Sequence, residues 1–153
     1  MIQDDLPCMD NDEIRRGMPA NHKVFGEDTS ILCGDSLICL AFQHIADKTT
    51  AEVPPRRVLQ AISELGSAAG SKGLSGGQFL DLNSEGKMVT LSELEYIHTH
   101  KTAKLVEATA VCGSIMGGGN ETEVERLRNY GRCVGLTYQV VDDILGFGSD
   151  QIF

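Results

Sequence analysis

Asp4, Asp5 and Asp10 place three carboxylates within seven residues, beside Leu6 and Met9 and just ahead of Arg15 and Arg16. Aspartates crowded into an apolar setting repel one another and resist desolvation unless a cation neutralises them. Hard oxygen donors of this kind suit Mg²⁺, which takes one or two carboxylates and completes its shell with waters and phosphate oxygens. On an unbroken helix Asp4 and Asp10 would point about 120° apart. Pro7 forbids that helix, so the chain is expected to kink or end near Leu6 and to swing Asp10 toward Asp4 and Asp5. The competing reading is a solvated acidic turn.

A second acidic pair, Asp142 and Asp143, lies between Val140-Val141 and Ile144-Leu145. Gln139 precedes it by three and four positions, so all three side chains can share one helix face. Arg15 and Arg16 lie in a loop-like stretch, and the planar fork of arginine matches phosphate oxygens. Two acidic sites with basic residues between them point to a diphosphate gripped through Mg²⁺ from both sides.

The stretch from Asp4 to Gly17 closely resembles the first aspartate-rich motif of the trans-prenyltransferases, the isoprenyl diphosphate synthases. The version with Pro7-Cys8 looks most like that of the plant geranylgeranyl diphosphate synthases. Further matching motifs follow in order: residues 21–27, Gly34-Asp35, Gly77 to Asp81, His100 to Ala103, and Tyr138 to Leu145. The resemblance implies an all-α isoprenoid synthase fold with helices around an apolar cavity. It implies head-to-tail condensation of an allylic diphosphate with isopentenyl diphosphate. Metal ligation would fall to Asp4, Asp5, Asp10, Asp142 and Asp143. Diphosphate binding would fall to Arg15, Arg16 and Lys101, with Thr102, Gln78 and Gln139 as polar groups of the cavity. Lys101, Thr102 and Gln139 would stand nearest the reacting carbons.

Residues 1–153 are expected to form one polyprenyl synthase domain, a central portion lacking family segments at both ends. Relatives of this kind pair with themselves or with a related synthase, and plant members work in plastids. No signal or transit pattern is visible, which leaves the cytoplasm as the alternative. A non-catalytic partner subunit of a complete synthase is the second functional reading, and a terpene cyclase sharing the fold is a third. The family's second motif carries one more aspartate at the position of Gly146.

Composition agrees with this direction. The net charge is −9, from 13 basic and 22 acidic residues, which speaks against a nucleic-acid surface. The five cysteines show no metal-ligand spacing and read as reduced residues. No stretch is expected to reach the roughly 18 apolar residues of a membrane span. Glu95 and His98 make half of a di-iron bundle signature, but the required second copy is missing.

The elements that must position these residues follow from periodicity and punctuation. Residues 11–22 read as loop, with Gly17 and Pro19 as breaks. Residues 24–47 read as one helix, apolar on nearly all faces after Ile31 and therefore central. Asp35 within it reads as a paired structural acid. Pro55 suits the first turn of a helix over 55–82, whose glycines allow close approach. Thr90 and Glu93 form a capping box for a helix over 91–116. Asn120 caps a last helix running from 121 to about 145.

Overall fold

The computed structural model describes residues 1–49 and 51–149, with residues 146–149 described in backbone only. It is mostly helical. Two β-residue pairs, β1 (Ile14–Arg15) and β2 (Met18–Pro19), are followed by α1 (Asn21–Phe25), α2 (Glu27–Lys48), α3 (Pro55–Ala69) and α4 (Leu74–Ser84). Then come α5 (Leu91–His98), a π-helical segment (Thr99–Ala103), α6 (Lys104–Met116) and α7 (Glu121–Ser149). Packing divides the chain into two units, Met1–Lys48 and Thr49–Phe153.

In the first unit, residues 2–10 form turns rather than a helix that stops at Pro7. The Asp10 N–H donates to the Asp4 carbonyl at 2.9 Å, so the chain doubles back across Pro7. The expected loop over 11–22 contains a tight hairpin, with Ile14 opposite Pro19 and Arg15 opposite Met18. Its two central residues, Arg16 and Gly17, have φ of 53° and 76°. A two-residue hairpin whose twist matches its strands needs positive φ at both positions.

The helix expected over 24–47 is split. Gly26 sits at φ 91°, a conformation an L side chain rarely adopts, and it separates α1 from α2. The Ser30 hydroxyl bridges the break, with Asn21 Oδ1 at 2.8 Å and the Gly26 carbonyl at 2.9 Å both in reach of its one proton. The expectation that this helix is buried fails for the chain as described. Leu32, Leu37 and Leu40 are more than half exposed, and Ser30 is the buried residue of α2. Among the described residues α2 is also the one helix long and apolar enough to cross a membrane by length and composition, contrary to the expectation of no such stretch.

In the second unit, Ala61, Leu65 and Ala68 of α3, Ile97 of α5, Ala103, and Ala108, Val111 and Ile115 of α6 form the buried core. Small residues at helical spacing allow close helix approach. Gly135 of α7 has no room for a side chain, since a Cβ there would lie 2.5 Å from Ala103 Cα. Gly77 of α4 is equally constrained, its Cβ position being 2.1 Å from the Lys101 backbone nitrogen. The π segment is thus clamped between α4 and α7. The helix expected over 55–82 breaks between Ala69 and Leu74, and the one over 91–116 is helical throughout but widens to π at Thr99–Ala103. The last helix continues through Gly146 to Ser149.

Polar ties hold the bundle as well. Arg128 of α7 reaches Glu64 of α3 at 3.0 Å and Glu107 of α6 at 2.9 Å. Hydrogen bonding to Glu64 first, and then to Glu107, raises the Arg128 pKa further above its ordinary range. Arg57 donates to the carbonyls of Ile115 and Gly119 at 2.8 and 3.1 Å, closing the C-terminal end of α6. Both capping boxes form. Thr90 and Glu93 bond reciprocally, and Asn120 and Glu123 do the same at 2.8 and 3.0 Å.

Candidate active site

The first acidic motif is built around a buried ion pair. Asp5 is 2% exposed, and Arg15 grips its Oδ1 through both Nε, at 3.0 Å, and a terminal nitrogen. Arg15 also reaches Asp12 at 3.1 Å. Hydrogen bonding to Asp5 raises the Arg15 pKa above its ordinary value. Asp4 is half-buried and Asp10 is exposed. Arg16 stands exposed at the hairpin tip. The two adjacent arginines therefore differ: Arg15 braces the motif and Arg16 is presented outward. Asp35 of α2 is a paired acid, accepting from Gln3 Nε2 at 2.8 Å.

In the second unit, the π segment presents His100, Lys101 and Thr102. Segments of this type arise as single-turn bulges and are frequent at functional sites. The Thr102 hydroxyl bonds to Gln139 Oε1. Gln139 is buried and donates Nε2 to Asp143 Oδ1 at 2.8 Å. His98 Nε2 lies 2.8 Å from the other oxygen, Asp143 Oδ2. Lys101 Nζ pairs with Asp81 Oδ2 at 2.6 Å. Gln78 lies half-buried on α4, one turn from Asp81, and Asp142 is exposed on α7. The structure thus brings Thr102, Gln139 and Asp143 into one hydrogen-bonded run.

Sequence reasoning did not foresee three contacts: Arg15 with Asp5, Lys101 with Asp81, and His98 with Asp143. Each joins positions distant in sequence, and local spacing carries no signal of the last two. Gly146 lies in the helical backbone of α7, so the shorter second motif does not end the helix there.

Mg²⁺ fits this donor set on its chemistry. Among the described residues no three His, Cys, Asp or Glu side chains are gathered as a ready metal cage. Mg²⁺ does not require one, since waters and substrate phosphates fill most of its octahedron. Exposed carboxylates such as Asp10 and Asp142 are donors of the right hardness.

The mainly helical chain has the isoprenoid synthase fold, as its likeness to solved isoprenyl synthases shows. The chain belongs to the polyprenyl synthetase family, whose profile matches residues 1–152. It is 56% identical over 149 residues to the heterodimeric geranylgeranyl pyrophosphate synthase large subunit 1, chloroplastic, of Arabidopsis thaliana, covering 95% of this chain and 40% of that one. It is 59% identical to geranylgeranyl pyrophosphate synthase 7, chloroplastic, of the same plant, with 95% and 42% covered. The chain therefore spans about two fifths of the length of these relatives. Among solved structures, an apo FPP/GFPP synthase from Zymomonas mobilis aligns with a TM-score of 0.85 at 38% identity, over 96% of this chain and 53% of that one. The geranyltransferase from Helicobacter pylori complexed with magnesium and isoprenyl diphosphate aligns with a TM-score of 0.84 at 36% identity, over 94% and 47%. The family match runs through α2.

Proposed function

We propose that this chain is part of a Mg²⁺-dependent prenyltransferase that condenses an allylic diphosphate with isopentenyl diphosphate, in the manner of the geranylgeranyl diphosphate synthases. The observation that carries this reading is the run from Thr102 through Gln139 to Asp143, beside Lys101. Asp4, Asp5, Asp10, Asp142 and Asp143 are the residues to hold Mg²⁺. Bound Mg²⁺ would neutralise charge on the diphosphate and make it a better leaving group. Arg16 and Lys101 are cations for the same diphosphate. Lys101 carries three donors, so it can keep Asp81 and still reach a phosphate oxygen. Arg15 acts on the substrate side chiefly by holding Asp5 in place.

The chain's own groups also set hydrogen-bond direction. An ionised Asp143 can only accept, so Gln139 turns its amide nitrogen toward it. The amide oxygen then faces Thr102, whose hydroxyl must donate to it. The lone pairs of Thr102 remain for a positive or donor group. A preorganised dipole of this sort favours charge that develops during departure of the diphosphate.

Plastid location is part of this proposal and draws on the chloroplastic names of the relatives. Pairing with a second copy or a related synthase is proposed as well. A partner role without turnover is the second reading. It draws on the exposed apolar residues of α2 and on a relative named as one subunit of a heterodimer.

The test is thermal unfolding with an allylic diphosphate. The ligand should raise Tm with Mg²⁺ present, a saturating hundredfold excess over Kd giving about 2.7 kcal/mol. Equal stabilisation in chelator would sink the metal reading. Labelled isopentenyl diphosphate then separates the two roles, since an enzyme turns it over and a partner raises turnover only when mixed with a complete synthase.

A further inference from the structure

His98 is not used by the chemistry proposed above, yet it ends the polar run. Its side chain is 12% exposed, and its Nε2 lies 2.8 Å from Asp143 Oδ2. Both carboxylate oxygens of Asp143 therefore meet a nitrogen, Oδ1 from Gln139 and Oδ2 from His98. Asp142, its neighbour, is exposed. Both members of the acidic pair are exposed, and the ties to Gln139 and His98 fix the direction of Asp143.

We infer that His98 is a positioning residue, which fixes Asp143 and through it the amide of Gln139 and the hydroxyl of Thr102. This rests on the reading of the α7 acidic pair as a cation and diphosphate site. The chemistry of the donors gives the direction of the run. An ionised carboxylate offers no proton, so the Nε2 of His98 must carry one. With Oδ2 occupied by His98, Oδ1 is left to Gln139, and the Gln139 amide has one orientation that satisfies both neighbours. Asp143 is already 42% exposed on its side chain, so without His98 it is free to turn toward water. Gln139 then loses the fixed acceptor that sets its amide, and Thr102 loses its assigned direction. Groups that orient a metal ligand from behind in this way commonly change affinity by 10–100-fold when removed.

The experiment compares the wild-type protein with His98→Phe and His98→Gln. Calorimetry with Mn²⁺ and inorganic pyrophosphate reads cation-dependent binding without any turnover. His98→Phe keeps the ring volume and removes the donor, and it should weaken this binding about tenfold. His98→Gln keeps an N–H at similar reach and should recover binding to within about threefold of wild type. In steady state the Phe variant should lose kcat while KM for isopentenyl diphosphate holds, since only the allylic side is disturbed. If His98→Phe does not fold, His98→Asn takes its place, with a donor too short to reach and the same expected loss. Wild-type binding with an unchanged Phe variant overturns the role of His98 alone. So does a Gln variant as weak as the Phe variant. If the wild-type protein shows no cation-dependent pyrophosphate binding, the site reading falls and this inference with it.

Discussion

Asp5 and Asp143 are each the second aspartate of an adjacent pair, and each has its carboxylate held, but by opposite means. Asp5 is 2% exposed and is held by the charge of Arg15. Asp143 is 42% exposed on its side chain and is held by the amide of Gln139 and the ring of His98. A buried carboxylate needs a countercharge to stay ionised, whereas an exposed one is already solvated and gains only direction from its donors. The first arrangement should govern stability and the second function. Mutations can test that division.

The largest effect is expected at Arg15. Arg15→Leu would strand the buried Asp5 charge, and the first unit should lose about 3 kcal/mol, checked by urea unfolding. A change below about 1 kcal/mol would mean that Asp5 is held by something other than charge. Next comes the clamp on the π segment. A methyl at Gly77 would sit 2.1 Å from the Lys101 nitrogen, so Gly77→Ala should cost about 2 kcal/mol through backbone displacement and should also weaken diphosphate binding.

Thr90→Ala removes the N-terminal cap of α5 and should cost about 1 kcal/mol. The cap has a pH signature, because hydrogen bonding from Thr90 holds the Glu93 carboxyl below its ordinary pKa. A depressed pKa contributes stability above the unfolded carboxylate value and loses it as pH falls through the folded one. The wild-type advantage over Thr90→Ala should therefore shrink in acid. The smallest stability effect belongs to the second pair. Asp142→Asn should change unfolding free energy by less than about 0.5 kcal/mol, as exposed substitutions do, while abolishing cation-dependent binding. A large loss of stability there would erase the distinction between the two regions.

What could be read in advance follows the range of the interaction. Both capping boxes were legible because each is complete within four residues. The reversal at Pro7 was legible because proline acts on its immediate neighbours, although turns replaced the expected helix. The break at Gly26 was missed because the apolar rhythm runs across it, and only the following Glu27-Asp28-Thr29 marks a new start. The apolar character of α2 was legible but its burial was not, since composition does not say what covers a face. The roles of His98 and Asp81 depend on α5, α4 and α7 meeting, which no local spacing encodes. The widening at Thr99–Ala103 left no sign in the periodicity either.

That widening has a consequence for how the chain tolerates change in length. The helical backbone runs without a gap from Leu91 to Met116, and the π turn takes up one residue more than an α turn would. Deleting a single residue between 99 and 103 would let the chain close as a plain α-helix. The flanking turns would then keep their facing, because an α turn closes over the same angle with one residue fewer. The change would fall on Lys101 and Thr102, which lie inside that turn, while His98 keeps its approach to Asp143 of α7. A one-residue deletion here should therefore spare the packing of α5 and α6 and damage only the side chains that the π turn displays.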